Sequence, residues 1–294
     1  MNIDTNTQLC AVIGHPVRHS LSPLIHNSAF RTLGLNYVYL AFDVVDVENC
    51  LRGMRALDGF RGLSVTIPHK ENVTKFLDEI DPVARRIGSV NTIINEKGRL
   101  IGTNTDGEGT IRAFERAGVK LQGKRVLFLG AGGAVRAVAF TIASEASPQK
   151  ITILGRNPDR LRRLVSDLKT NFPYLNIEYG YLSEDFSTLV KTHEVIIQGT
   201  PVGMEGHSTE ALNFPYDNLD STHAVLDMVY KPLETRLIKE ARKRGSVAIV
   251  GTEMLIEQAG IQFELWTGCK PPLDKMRKAV ESAITTSNFN NREN

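Results

Sequence analysis

Residues 62–70 read GLSVTIPHK, a β-branched apolar run that leaves through Pro68 and ends on Lys70. Lysine is seldom fully buried. At the exit of a buried strand it is either a solvated turn residue or a charge held at the mouth of a cleft. Asn104-Thr-Asp-Gly107 sets a carboxylate, Asp106, at the end of another strand-like run, where its plain reading is an Asp-Gly turn. His19-Ser-Leu-Ser-Pro23 puts two hydroxyls, Ser20 and Ser22, two residues apart ahead of a helix; Ser22 reads equally as its N-cap. Asn91-Thr92 follows Gly88-Ser-Val, and Asn91 reads equally as a strand-end polar group. Together these residues recur at strand exits, where open α/β sheets bind ligands. They offer hydroxyls and amides suited to a polyhydroxylated ring, with one amine and one carboxylate for proton transfer.

A second pattern, VLFLGAGGAVRA, covers residues 126–137. A strand ends at Gly130, the chain turns through Gly132 and Gly133, and a helix follows. Such a turn lets backbone amides approach a pyrophosphate at the helix N-terminus. The third glycine of G-x-G-x-x-G is replaced by Val135, so the setting carries the assignment: a strand before, a helix after, and a second strand (ITIL) at the expected distance. That strand ends Leu154-Gly155-Arg156-Asn157-Pro158-Asp159-Arg160. No acid stands at its tip for a ribose hydroxyl, and a guanidinium suits a 2′-phosphate, so the expected cofactor is NADP. Arg156 is the stronger candidate. Arg160 reads also as a helix-surface residue, and Asp159 as that helix's cap.

The elements that must position these groups alternate along the chain. Strands are expected at Leu9–Gly14, Tyr37–Phe42, Gly62–Ile67, Lys124–Gly130, Lys150–Leu154, Glu194–Gln198, Ala224–Met228 and Val247–Val250. Val90–Asn95 and Arg99–Gly102 read as a hairpin. Helices are expected at Ser22–Thr32, Val47–Leu57, Val73–Leu77, Gly107–Ala117, Ala134–Ser144, Asp159–Asn171, Met254–Thr267 and Asp274–Asn288. This alternation implies an α/β fold with parallel sheets and crossover helices. It is split here into two domains, 1–106 for substrate and 107–251 for a Rossmann-type NADP domain, with helices over 252–294.

Composition excludes several classes. The 294 residues carry 41% hydrophobic and 23% charged residues and a net charge of +2, which argues against nucleic acid as the main partner. The densest basic run, Glu240-Ala-Arg-Lys-Arg-Gly245, reads as a solvated face with cations near a helix C-terminus. Three scattered cysteines suggest a reducing compartment. No apolar run reaches the length of a membrane span, and the N-terminal MNIDTNTQLC shows no signal sequence; a cytoplasmic location is expected. His15, His19 and His26 have no accompanying Cys or acid cluster, and Pro16 and Pro23 interrupt them, so no metal is expected.

The chain resembles the shikimate dehydrogenase family almost end to end. The resemblance is carried, in order, by GHPVRHSLSPLIHN (14–27), VTIPHK (65–70), VNT (90–92), NTDGEG (104–109), GAGGAVRA (130–137), GTPVGM (199–204), DMVYKPLETRLI (227–238), EMLIEQ (253–258) and FELWTG (263–268). It implies a substrate domain, a Rossmann NADP domain and a C-terminal segment returning to the first. It implies reversible reduction of 3-dehydroshikimate to shikimate with NADPH, within aromatic amino-acid biosynthesis, by a monomer or homodimer. It assigns Lys70 and Asp106 as the catalytic pair and Ser20 and Ser22 to the substrate carboxylate. Thr66, Asn91, Asp106 and Gln258 go to ring hydroxyls, and Tyr230 lies close to the substrate. Gly130, Ala131, Gly132, Gly133, Ala134, Arg156, Asn157, Arg160, Thr200, Met204, Met228 and Gly251 are implied for the cofactor. Two positions depart from the common pattern. Ser64 replaces the Asn that usually precedes V-T-x-P, bearing on strictness for shikimate. The phosphate turn reads Gly155-Arg156-Asn157 instead of N-R-T/S. The alternatives are a quinate/shikimate dehydrogenase using NAD or both cofactors, and a non-catalytic shikimate- or quinate-sensing relative. A sensor would have little use for both Lys70 and Asp106.

Overall fold

Alternating apolar and amphipathic runs build two separate six-stranded sheets in the computed structural model, which describes residues 3–205 and 213–290. The chain divides into two units, Met1–Gly109 with Ile256–Asn294, and Thr110–Leu255.

In the first unit the elements are β1 (Gln8–Gly14), α1 (Ser22–Leu33), β2 (Tyr37–Asp43), α2 (Val47–Arg55), β3 (Phe60–Val65), β4 (Glu79–Ile80), α3 (Pro82–Ile87), β5 (Thr92–Glu96), β6 (Arg99–Thr103) and the start of α4 (Asp106–Arg116). The sheet order is β2-β1-β3-β5-β6-β4, with β1 parallel to β2 and β3, and with β5 antiparallel to both β3 and β6. Cys10–Ile13 are at most 2% exposed because β1 is covered on both edges and both faces. One face packs Ala11, Ile13, Leu51, Phe60, Leu63 and Leu100. On the other, Trp266 lies over Gly62 and donates its indole N–H to the Ile93 carbonyl at 3.0 Å. A Cβ at Gly62 would stand 2.2 Å from that indole nitrogen; the close approach requires glycine.

The second unit continues with β7 (Arg125–Leu129), α5 (Gly133–Glu145), β8 (Lys150–Gly155), α6 (Pro158–Asn171), β9 (Asn176–Tyr181), α7 (Ser187–Thr192), β10 (Val195–Gln198), β11 (Ala224–Asp227), α8 (Arg236–Lys243) and β12 (Val247–Ile249). Its strands are all parallel, in the order β12-β11-β10-β7-β8-β9. Counted within the unit, this is the 3-2-1-4-5-6 order of a doubly wound dinucleotide-binding sheet, whose strand order reverses between β7 and β10. α9 (Gly251–Thr267) starts in this unit and carries the chain back to the first, where α10 (Leu273–Asn290) follows.

Several expectations are corrected. Ser22 is not a cap: α1 begins on it, Leu21 occupies the cap position, and no side chain caps the helix. Asp159 is not the cap of α6; Asn157 Oδ1 accepts from the Asp159 and Arg160 amides instead. The helix expected at Val73–Leu77 is a 3₁₀ turn, Asn72–Phe76. β9 escaped the sequence because it is an edge strand with an interior glycine, Gly180, and mostly exposed or half-buried residues. β4 and α3 are too short to show a period. The expected domain limits, 106/107 and 251/252, and the limits of the two units, 109/110 and 255/256, lie in the same helices, α4 and α9. Among the described residues no helix is long and apolar enough to cross a membrane, and no cluster of three or more His, Cys, Asp or Glu could hold a metal. The basic run at α8 is paired with acids: Arg242 with Glu234, and Arg244 with Glu240 and Asp217.

Candidate active site

β3 ends at Val65, and the Thr66 amide still bonds the Ile13 carbonyl at 2.9 Å before the chain turns. The turn closes with the His69 amide on the Thr66 carbonyl at 3.0 Å, and the Val90 amide donates to the Lys70 carbonyl at 2.8 Å. Lys70 is thereby fixed at both its backbone and its head. Its Nζ lies 2.6 Å from Asp106 Oδ2, with the two side chains 25% and 10% exposed. Asp106 opens α4, where a carboxylate is favoured at the positive end of the helix. Its amide donates to Asn104 Oδ1 at 3.1 Å, and Asn104 in turn is anchored on the Ser89 carbonyl at 3.0 Å. The other carboxylate oxygen, Oδ1, accepts from Asn91 Nδ2 at 2.7 Å. Asn91 is 2% exposed, and its Oδ1 accepts from the Thr105 amide at 2.8 Å. That amide can only donate, so the Asn91 side chain has one possible orientation, with its NH₂ towards Asp106.

The other candidates of this unit lie in or beside the same polar patch. Thr105 Oγ1 donates to Gln258 Oε1 at 3.4 Å. Ser22 is buried, and its amide donates to Ser20 Oγ at 3.3 Å. Ser64 is buried too, with its hydroxyl between Tyr39 (2.6 Å) and Gln262 Oε1 (2.7 Å). Thr66 is half-buried, and its methyl fills the place a Cβ would take at Gly14. Beneath this patch His26 is stacked on Tyr39, ring centroids 4.4 Å apart, and neither ring nitrogen has a hydrogen-bond partner. Burial pushes its pKa down to about 3, with the neighbouring Gln262 opposing only in part, so the ring is neutral.

In the second unit the cofactor candidates lie at or just beyond the C-terminal ends of β7, β8, β10, β11 and β12. Gly130 has φ +117°, and a Cβ there would come 3.1 Å from the Gly199 carbonyl. Gly199 itself lies against Val135 and Met228. Gly132 holds the N-cap position of α5 without a side-chain cap, and a Cβ on Gly132 or Gly133 would enter open space. The first amides of α5 therefore face a cradle able to take a pyrophosphate. Ala131 and Ala134 flank it, and Arg156, Asn157 and Arg160 are exposed at the end of β8. Thr200 is buried, while Met204, Met228 and Tyr230 are half-buried. Gly251 has a packing reason: a Cβ would lie 2.7 Å from the Asp227 and Val229 carbonyl oxygens.

Tyr39 and Gln262 in the first unit and Gln198, Asp227 and Thr235 in the second were given no role from the sequence, and Thr92 stood out only as the neighbour of Asn91. Asp227 is 1% exposed, accepts from Thr235 Oγ1 at 2.6 Å and from the Val229 amide at 3.0 Å, and burial raises its pKa to about 6. Gln198 holds the following turn through the Thr200 amide (2.5 Å) and carbonyl (3.0 Å). A signal for Gln262 did exist. It stands four residues after Gln258 in the helical stretch IEQAGIQFELW, which puts both amides on one helix face.

An all-parallel sheet with a glycine cradle at its reversal point, joined in one chain to an ordered lysine–aspartate pair, defines a two-unit oxidoreductase of the dinucleotide-binding class. Family models agree, matching the shikimate dehydrogenase substrate binding domain over residues 12–93, shikimate / quinate 5-dehydrogenase over 112–204 and the shikimate 5′-dehydrogenase C-terminal domain over 251–281. The chain belongs to the shikimate dehydrogenase family. A shikimate dehydrogenase (NADP(+)) of Methanococcus maripaludis is 43% identical over 285 residues, covering 96% of this chain and 99% of its own. The solved shikimate 5-dehydrogenase of Thermus thermophilus, in complex with NADP(H) and shikimate, is 35% identical with a TM-score of 0.82, covering 94% of this chain and 100% of its own. That of Listeria monocytogenes, in complex with shikimate and NAD, is 34% identical with a TM-score of 0.89, covering 95% and 98%.

Proposed function

We propose that this chain catalyses the reversible, NADP-dependent reduction of 3-dehydroshikimate to shikimate, a step towards the aromatic amino acids, in the cytoplasm. The observation that carries the reading is the Lys70–Asp106 pair at 2.6 Å, with the second carboxylate oxygen held by a buried Asn91. The glycine cradle, the uncapped start of α5 and the exposed arginine at the tip of β8 fit NADP. Gly130, Ala131, Gly132, Gly133 and Ala134 would hold the pyrophosphate. Arg156 would take the 2′-phosphate, with Asn157 and Arg160 beside it; Asn157 has only its NH₂ to offer, since its oxygen caps α6. Met204 and the loop around it would lie near the nicotinamide, and Thr200, Met228 and Gly251 would complete the cofactor site.

Bound NADPH supplies the hydride for reduction. Lys70 Nζ gives a proton to the oxygen that was the substrate carbonyl and takes it back in the oxidation direction. Before transfer, the ammonium stabilises negative charge growing on that oxygen. Asp106 keeps the ammonium in place and, with Asn91, meets a ring hydroxyl. Ser20 and Ser22 take the substrate carboxylate, and Thr66, Ser64, Gln258 and Tyr230 take the remaining polar groups. The test is the purified protein assayed for reduced nicotinamide with shikimate or quinate and with NADP or NAD. Shikimate with NADP should give the highest kcat/KM. Absence of shikimate-dependent reduction of either cofactor would refute the reading, and faster quinate oxidation with NAD would replace it with the quinate alternative.

A further inference from the structure

Seven buried or half-buried side chains form one continuous hydrogen-bonded series in the first unit. Gln262 Nε2 lies 3.3 Å from the Asn91 carbonyl oxygen, which can only accept. This fixes the amide: Nε2 also donates to Thr92 Oγ1 at 2.8 Å, and Oε1 accepts from Ser64 at 2.7 Å. Ser64, having given its hydrogen to Gln262, accepts from the Tyr39 hydroxyl at 2.6 Å. Burial raises the Tyr39 pKa, so the phenol keeps the proton it donates. On the other arm Thr92, which receives from Gln262, donates to Asn91 Oδ1 at 2.7 Å. Asn91 Nδ2 donates to Asp106 Oδ1, and Asp106 Oδ2 receives from Lys70. Every hydrogen in the series running from Tyr39 to Asp106 points the same way, and reversing any member would set two donors or two acceptors face to face.

We propose that Gln262 and Thr92 are positioning residues, which add a second hold on the Asn91 amide beside that of the Thr105 N–H and through it steady the carboxylate that holds Lys70. The proposal rests on the reading of Lys70 and Asp106 as the catalytic pair. Neither residue needs to touch substrate for this role. Both are fully enclosed, at 1% and 0% exposure. Gln262 comes from α9, 170 residues beyond Thr92, so the returning C-terminal segment would set the geometry of the proton-transfer group.

The experiment is steady-state shikimate oxidation by NADP with wild type, Thr92→Val, Thr92→Ser, Gln262→Met and the Thr92→Val/Gln262→Met double variant, with melting temperatures alongside. Thr92→Val keeps the side-chain shape and removes the hydroxyl. Its kcat should fall about tenfold, the kinetic equivalent of one hydrogen bond, with KM for NADP unchanged. Thr92→Ser should return to within about threefold of wild type, since the hydrogen bond is restored. Gln262→Met should lose a similar factor, and the double variant should lose no more than the worse single, as expected of members of one series. Unchanged kcat in Thr92→Val overturns the proposal. So do failure of Thr92→Ser to restore it and multiplicative losses in the double variant. If Gln262→Met does not fold, the two Thr92 variants decide alone. A wild type that oxidises no shikimate overturns the reading of function beneath the proposal, whereas an active wild type with an unaffected Thr92→Val overturns only the positioning role.

Discussion

Replacing Asp106 with Asn tests the proposed chemistry at its most constrained point. The change keeps shape and removes charge. Both carboxylate oxygens now accept from groups that can only donate there, Lys70 Nζ at 2.6 Å and Asn91 Nδ2 at 2.7 Å. An amide has one oxygen. If it faces Lys70, its NH₂ confronts the NH₂ of Asn91; if it faces Asn91, its NH₂ confronts an ammonium. One charge-assisted hydrogen bond is lost outright, about 1.5–3 kcal/mol, and the other falls to neutral strength, about 1 kcal/mol more. A loss of about 2.5–4 kcal/mol converts to roughly 10²- to 10³-fold in kcat if the pair acts in the transition state. Lys70→Ala, which removes the proton donor itself, should lose roughly 10²- to 10⁴-fold. Because the two groups act on each other, the double variant should be no slower than the slower single. The assay is NADPH formation from shikimate under saturating conditions, with KM for NADP as a control that should not move. Asp106→Asn within about threefold of wild-type kcat, or a double variant showing the product of both losses, would falsify the pair mechanism.

Arg156→Ala should raise KM for NADP by about 10- to 150-fold, the equivalent of a charge-assisted contact worth about 1.5–3 kcal/mol, and leave KM for NAD nearly unchanged; equal effects on both cofactors would remove Arg156 from phosphate recognition. Asp227 has its folded pKa raised from 3.8 to about 6 by burial. Between those values the folded state holds a proton that the unfolded state releases, so its contribution to stability falls as pH rises, by up to about 3 kcal/mol. Asp227→Asn should flatten that part of the stability profile in denaturant titrations from pH 4 to 7, and an unchanged profile would contradict the assignment. His26 has the opposite sign: its folded pKa is lowered from 6.5 to about 3. As pH drops below 6.5 the unfolded imidazole gains a proton that the folded one refuses, costing about 1.4 kcal/mol per pH unit. His26→Phe should lose this acid-side slope, and a variant as acid-sensitive as wild type would show that His26 does not carry it.

Most of the second unit was legible because its signals are local. The apolar strands, the glycine turn and the Arg156 position each occupy a few adjacent residues, and the parallel order of the sheet follows from strand–helix alternation. Gly251 was legible as a position but not as a cause, since the carbonyls that exclude a Cβ belong to residues 227–229. In the first unit Lys70, Asn91 and Asp106 stood out as polar groups at strand exits, but nothing in their spacing told which oxygen of Asp106 each neighbour would take. The roles of the Tyr39 and Thr92 hydroxyls were not legible for a different reason. Each residue lies in a strand whose composition already accounts for it, Tyr39 as a buried aromatic and Thr92 as a β-branched residue. Their hydroxyls are tied to partners 25 and 170 positions away, which no local pattern shows.

Ser64 shows how such distant partners change the meaning of a substitution. Read along the chain, a serine in place of an asparagine before V-T-x-P is a shorter group with less reach towards a substrate ring. In the fold its hydroxyl already has two duties, accepting from Tyr39 and donating to Gln262. An asparagine amide has the same two capacities, an oxygen to accept and an NH₂ to donate. Either residue can therefore join Tyr39 to Gln262, but they do so with different bulk at a site that is 6% exposed. A serine uses its only hydrogen in the join and keeps one lone pair, whereas an asparagine keeps a second N–H. What the substitution alters is thus the volume beside the polar patch and the presence of one spare donor, while Asn91 is held in both cases by the Thr105 amide and the Thr92 hydroxyl, and Asp106 by Asn91.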